Sequence, residues 1–196
     1  MSYRLRLLFA VLLLLGGTAG ASPPLSAEAQ RVQSAYAKLQ ASSKSASAKL
    51  AYLRAFPATK AAFVRVFSLP DGGQLSNTSH EHIAALKGLA ATSPQAVLAI
   101  CFNIGKNLVW EADAVGSLQH ATVEIGGLHP RTFAAEARKL KPAERVALFG
   151  FLADVENHRK YSAYQDLIKR LTESGASDLA SGLEQAKQRR MRQPHG

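Results

Sequence analysis

Six histidines, one cysteine and 14 carboxylates are the side chains of this 196-residue chain best suited to chemistry. Two of the histidines flank a glutamate in His80-Glu81-His82. A metal would need both imidazoles on one side. In a helix successive residues turn by about 100°, so positions two apart face nearly opposite ways. The zinc-peptidase spacing places its histidines at i and i+4, and four residues after His80 stands Ala84. Local geometry offers a different reading. Thr78-Ser79-His80-Glu81 has the T-x-x-E form of a capping box, in which Thr and Glu side chains satisfy each other's backbone N–H groups. The sequence therefore predicts a helix start at Thr78, with Ile83, Leu86 and Ala90 on its buried edge and the two histidines in different surroundings.

Two other stretches could carry chemistry. In "WEADAVGSLQH", Asp113 and His120 are seven residues apart and nearly aligned across two helical turns. With Trp110 nearby they make a candidate binding site: Trp110, Asp113 and His120. In "ADVENHRKY", Asp154 and His158 are spaced i, i+4, so Asp154 could orient His158 for proton transfer. The candidate catalytic residues are thus Asp113, His120, Asp154 and His158. Against them, acid-before-base pairs at i, i+4 are ordinary helix support. Glu156–Lys160 and Asp166–Arg170 repeat the same spacing, which reads as a solvent face. A lone tryptophan is more often core than ligand platform. No metal site and no cofactor are expected: the chain has no P-loop, no G-x-G-x-x-G fingerprint, no G-x-S-x-G elbow and, with a single Cys, no C-x-x-C.

These residues must be positioned by helices, because the apolar pattern has helical periodicity and strand-like alternation is nearly missing. Ser26 can cap a first helix carrying Val32, Tyr36 and Leu39. Leu50, Leu53 and Phe56 mark a second, ended by Pro57. Thr59 caps a third. Ser93-Pro94 opens a helix with the stripe Val97, Ile100, Cys101, Ile104 and Leu108. A helix covering 111–120 is followed by a break at Gly126-Gly127. His129-Pro130 and Lys141-Pro142 each start another run, and the latter presents Val146, Phe149, Leu152 and Val155. Tyr161, Tyr164, Leu167, Ile168 and Leu171 follow, stopped at Gly175, and Ser177 starts the last helix. The fold class is all-α: a compact multi-helix bundle of about seven to nine short antiparallel helices, with a short helical-hairpin solenoid as the alternative.

Two segments taken together, "AFPATKAAFVRVF" and "LVWEADAVGSLQH", resemble segments of a diffuse group of exported bacterial helical proteins without an assigned activity. The resemblance implies an all-helical fold and transfers no catalytic residue.

The ends of the chain bear on location and partners. Arg4 and Arg6 precede a wholly apolar run at 7–15, and Ala19-Gly20-Ala21 has the small-x-small form a signal peptidase accepts. The run is about half the roughly 20 residues a spanning helix needs. The expectation is a cleavable secretory signal at 1–21, one helical domain at 22–186, and a basic, flexible tail at 187–196. That places the protein in the periplasm or outside the cell, with no transmembrane segment after cleavage near Ala21. The lone Cys101 lies in an apolar setting and reads as an inert thiol, with pairing between chains left open. Of the formal net charge of +10, Arg4 and Arg6 carry two. Lys187, Arg189, Arg190 and Arg192 form a candidate anionic-surface site. Export directs that charge toward envelope surfaces or an acidic protein, and no nucleic-acid partner is expected. The function expected is a non-enzymatic protein–protein interaction module of the cell envelope, such as an inhibitor, an immunity-type partner or an adaptor. The alternatives are a periplasmic hydrolase or metal-assisted enzyme, and a binder of anionic surfaces.

Overall fold

Short capped helices dominate because the caps and breakers are written locally. Ser26, Ser45 and Thr59 each accept a hydrogen bond from the backbone N–H three residues on, at 3.2–3.3 Å, which satisfies an orphan donor of the first turn. The computed structural model describes residues 24–69, 72–108, 114–154 and 161–192. Its helices are α1 Ala27–Ala41, α2 Ala46–Ala55, α3 Lys60–Phe67, α4 Ser79–Leu89, α5 Pro94–Gly105, α6 Ala114–Leu128, α7 Pro130–Lys139, α8 Pro142–Leu152, α9 Ser162–Glu173 and α10 Ser177–Arg192. The described residues contain no strand. The all-helical class holds, and the described residues form ten α-helices rather than seven to nine, with α3 and α7, of 8 and 10 residues, starting where Thr59 and His129-Pro130 were expected to start them. None of these helices is long and apolar enough to cross a membrane.

One hydrophobic core runs from α1 to α10. At its centre lies α6, which packs on α4, α5, α7, α8 and α9. Alanine, valine, leucine and glycine line most of its circumference, and Leu118, Val123 and Ile125 are buried. A helix apolar on nearly all sides belongs inside. Helix α10 lies on α8 and α9, and the Tyr164 hydroxyl donates to the Leu183 carbonyl at 2.8 Å to fix the α9–α10 contact. Helices α1 and α2 pack mainly on each other.

Gly126-Gly127 does not break the chain, contrary to expectation; both residues lie within α6. The reason is packing. A Cβ at Gly126 would lie 2.5 Å from Phe133 Cδ2 and 3.0 Å from Leu167 Cδ1. Glycine here lets α7 and α9 approach α6, which outweighs its roughly 1 kcal/mol helix penalty. By contrast the stop at Gly175 is as expected. Its φ is +83°. The Ala176 N–H reaches the Leu171 carbonyl at 2.8 Å and the Gly175 N–H reaches Thr172 at 3.1 Å, the two bonds of a Schellman ending.

The expected stripes need adjustment at two points. Val146 is 57% exposed, while Phe149 and Leu152 of the same stripe are buried as expected, with Leu148 and Phe151 beside them. Leu50 is also exposed, since α2 turns Ala48, Tyr52 and Ala55 inward. Val155 lies outside the described residues.

Neighbouring glycines should respond oppositely to the same substitution. Gly126→Ala is expected to lower the unfolding free energy by about 1–3 kcal/mol through overpacking. At Gly127 a Cβ meets nothing within 4 Å, so Gly127→Ala should raise stability by up to about 1 kcal/mol. Urea midpoints of the two variants check this; equal shifts would contradict the packing account.

Candidate functional site

The two histidines of the opening motif part company as the helical spacing requires. His80 is exposed, and His82 is buried to 1%. The capping box itself does not form. A 3-10 turn, Ser76–Thr78, leads into α4, and Thr78 has φ −114° and ψ 9° with no side-chain cap bond. Its hydroxyl donates backward to the Leu75 carbonyl at 3.3 Å. Leu75 is tucked into the core, and its N–H donates to Val66 O at 2.8 Å. That tertiary anchor sets the turn. Ile83, Leu86 and Ala90 are buried as expected.

His82 is the centre of an aromatic cluster. The Tyr36 ring lies 4.4 Å from it between centroids, Phe67 lies 5.3 Å away and Tyr52 6.2 Å away. Phe56 touches Tyr52 at 5.9 Å and Phe67 at 5.5 Å. The Tyr52 hydroxyl is 2.8 Å from the His82 carbonyl oxygen and 3.2 Å from His82 Nδ1. It has one proton to give, and the carbonyl can only accept. The imidazole therefore carries its proton on Nδ1 and donates to Tyr52 Oη. Burial pushes the imidazole pKa down to about 4, against an opposing pull from the Glu81 carboxylate. The same burial raises the Tyr52 hydroxyl.

The sign of the linkage follows. The unfolded chain binds the His82 proton near pH 6.5 and the folded chain only near 4. Stability contributed by neutral His82 is present above pH 6.5 and is lost as pH falls toward 4. The difference corresponds to about 3 kcal/mol. This is a structural histidine, closed to solvent and hydrogen-bonded on one nitrogen.

A second polar cluster gathers where α6, α8, α9 and α10 meet. Gln119, fully buried on α6, donates both amide hydrogens to main-chain oxygens past or at the end of α8: Phe151 O at 2.5 Å and Asp154 O at 2.9 Å. It thereby adds a side-chain donor at the helix end, where Phe151 O also accepts from the Asp154 N–H at 3.2 Å. Asp154 is beyond the end of α8, and its carboxylate meets Arg190, with Nε 2.6 Å from Oδ1. Beside it, exposed His120 stacks on Tyr161 at 4.5 Å and 28°. The Tyr161 hydroxyl has no hydrogen-bond partner among the described residues. Burial, with the Glu124 charge second, raises its pKa. Trp110, Asp113 and His158 lie outside the described residues.

The basic group also changes character. Lys187, Arg189, Arg190 and Arg192 lie on α10, which continues to Arg192, where a free tail was expected. The helix persists because Leu183 and Ala186 bury its inner face and Arg190 is held by Asp154. Lys187 pairs with Glu184 at 3.1 Å. Arg189 and Arg192 remain exposed.

Cys101 is fully buried, and burial raises its thiol to about 12 despite a contact with Thr122. Among the described residues no three His, Cys, Asp or Glu side chains converge in a way that could hold a metal. What the surface does offer is a shallow groove of about 570 Å³ beside α4 and the end of α6. Its floor is Ala84, Gly88, Ala91 and Ile125, and Leu128 at its edge is 67% exposed. Lys87, ion-paired with Glu124, and His129 stand at the rim. Nothing in the sequence pattern marks this groove, because its two sides are about 40 residues apart.

No protein-family model, curated protein or solved structure matches the chain.

Replacing Gln119 with Met, of similar length, removes the side-chain donor from two main-chain oxygens, leaving Phe151 O with the Asp154 N–H at 3.2 Å. Gln119→Met should cost about 2 kcal/mol of stability, while Val146→Ala on the exposed side of α8 stays within about 0.5 kcal/mol. Thermal and urea unfolding would measure both, and a neutral Gln119→Met would deny the amide its bracing role.

Proposed function

We propose that this protein is a non-enzymatic interaction module of the cell envelope, exported by its N-terminal signal, that takes a protein partner along the groove between α4 and α6. The observation that carries the reading is the groove itself. Leu128 is left in water beside a floor of alanine and glycine, where an apolar helix of a partner could lie close to the backbone. Small residues at 84, 88 and 91 recur at helical spacing along α4 and just beyond it. An exposed apolar edge with a polar rim is the usual form of a docking surface. The net positive charge of the chain favours a partner with acidic flanks.

The side chains most able to do chemistry support the same reading. His82 and Cys101 are sealed in the core, and Asp154 is occupied by Arg190. Binding of an anionic surface through α10 is the second reading, supported by exposed Arg189 and Arg192. It has lost part of its basis, since Lys187 and Arg190 are engaged within the fold.

Two variants separate groove binding from folding. A side chain at Gly88 meets nothing within 4 Å, so Gly88→Gln fills the groove without strain in the protein itself. Leu128→Asp places a charge at its edge. Both variants should melt like the wild type yet lose the protein that wild type retains from envelope extract at moderate salt. Retention of the same protein by both variants, or of none by the wild type, would overturn the proposal.

A further inference from the structure

Helices α1 and α2 form a hairpin that is attached to the rest of the chain differently from the other helices. Each packs chiefly on its partner, and no other helix makes a comparably broad contact with either. The hairpin's inner side chains, Val32 and Tyr52 among them, join the common core, and among the described residues its polar attachments to the rest are few. The Ser26 N–H donates to Gln74 Oε1, and Glu28 pairs with Arg65 of α3 at 2.9 Å; both are exposed. Phe56, just after α2, lies against Phe63 and Phe67. The buried polar link is the Tyr52–His82 pair, with the Tyr36 ring covering the same imidazole. One titratable side chain of α4 thus sits between two rings of the hairpin.

We propose that the α1–α2 hairpin is an acid-released flap: protonation of His82 expels its imidazole from between Tyr36, Tyr52 and Phe67, and the hairpin comes away from α3 and α4.

The groups facing His82 leave the cation without an anionic partner inside the cluster. From α1 comes Tyr36, whose hydroxyl is 3.5 Å from Glu81 Oε2. From α2 comes Tyr52, already donating to the His82 carbonyl. From α3 comes the uncharged ring of Phe67; its neighbour Arg65 is turned to Glu28. Glu81, beside His82 on α4, is the one charge acting on the imidazole, and it lies at the exposed edge. An imidazolium gains little there and gains full hydration once the hairpin leaves. Opening uncovers aromatic side chains that are buried at neutral pH, so the released form presents an apolar face the closed form lacks.

Amide hydrogen exchange on the full chain, read by mass spectrometry and corrected for intrinsic exchange rates, tests the flap. With a pKa of 6.5 open and about 4 closed, the opening equilibrium should rise on the order of thirtyfold between pH 7.5 and pH 5. The rise is expected in peptides from 27–55 and not in those from α5 to α9. In His82→Phe, which cannot take up the proton, the pH effect should vanish. An NMR titration of wild-type His82 gives a second readout that needs no variant: the imidazole should titrate near pH 4, together with amide signals of α1 and α2. A rise spread evenly over all helices, a pH effect that persists in His82→Phe, or an imidazole titrating near 6.5 would each overturn the proposal.

Discussion

The constraint on which most of this fold depends is the enclosure of α6. A helix with neighbours on five sides can carry few polar side chains, and their donors must find acceptors inside the protein. That is why Gln119 spends both amide hydrogens on the end of α8, and why Thr122 returns its hydroxyl to Leu118 O at 2.7 Å. Enclosure also limits side-chain size, so Gly126 faces the ring of Phe133. The helices from α4 to α10 are then arranged by what α6 will accept. Their caps and lengths are local matters, but their positions are not.

The N-terminal hairpin obeys a different rule. It packs chiefly within itself while adding aromatic mass to one flank of the core, and a polar contact fixes its orientation. Apolar packing alone is tolerant of small rotations, whereas the two hydrogen bonds of Tyr52 admit one arrangement. Specificity in this half of the protein therefore rests on a histidine whose neutrality depends on the medium. In the other half it rests on close-packed carbon together with the hydrogen bonds of Gln119 and Tyr164, neither of which titrates near neutral pH.

Local features of this fold were legible in the sequence and tertiary ones were not. Ser26 and Thr59 could be read as caps because their bonds span three residues. Gly175 could be read as a stop because a left-handed residue ends a helix regardless of surroundings. Thr78 misled, since its conformation is set by Leu75 reaching back to Val66. Gly126-Gly127 misled in the other direction: the helix penalty of glycine is visible in a sequence, while the ring it accommodates is not. Opposite facing of His80 and His82 followed from helical geometry alone. That His82 would be the buried one was also within reach, because it stands one turn before Leu86 on the same edge. Its partner Tyr52, thirty positions earlier, was beyond any spacing rule. So was the pairing of Asp154 with Arg190, which joins a residue first read as a catalytic candidate to one first read as part of a loose tail.

The depth of Cys101 gives the folded protein an indifference to redox conditions. A thiol with no exposure and an ionisation pushed to about 12 has almost no thiolate at neutral pH, and no disulfide can reach it. An oxidising compartment leaves the native chain unmarked. Only a molecule that has opened past α5 presents the sulfur, and there an oxidant that takes up two electrons and two protons can join it to the thiol of a second opened molecule. Covalent dimers would therefore accumulate as a record of unfolding, each one marking two chains whose cores had come apart.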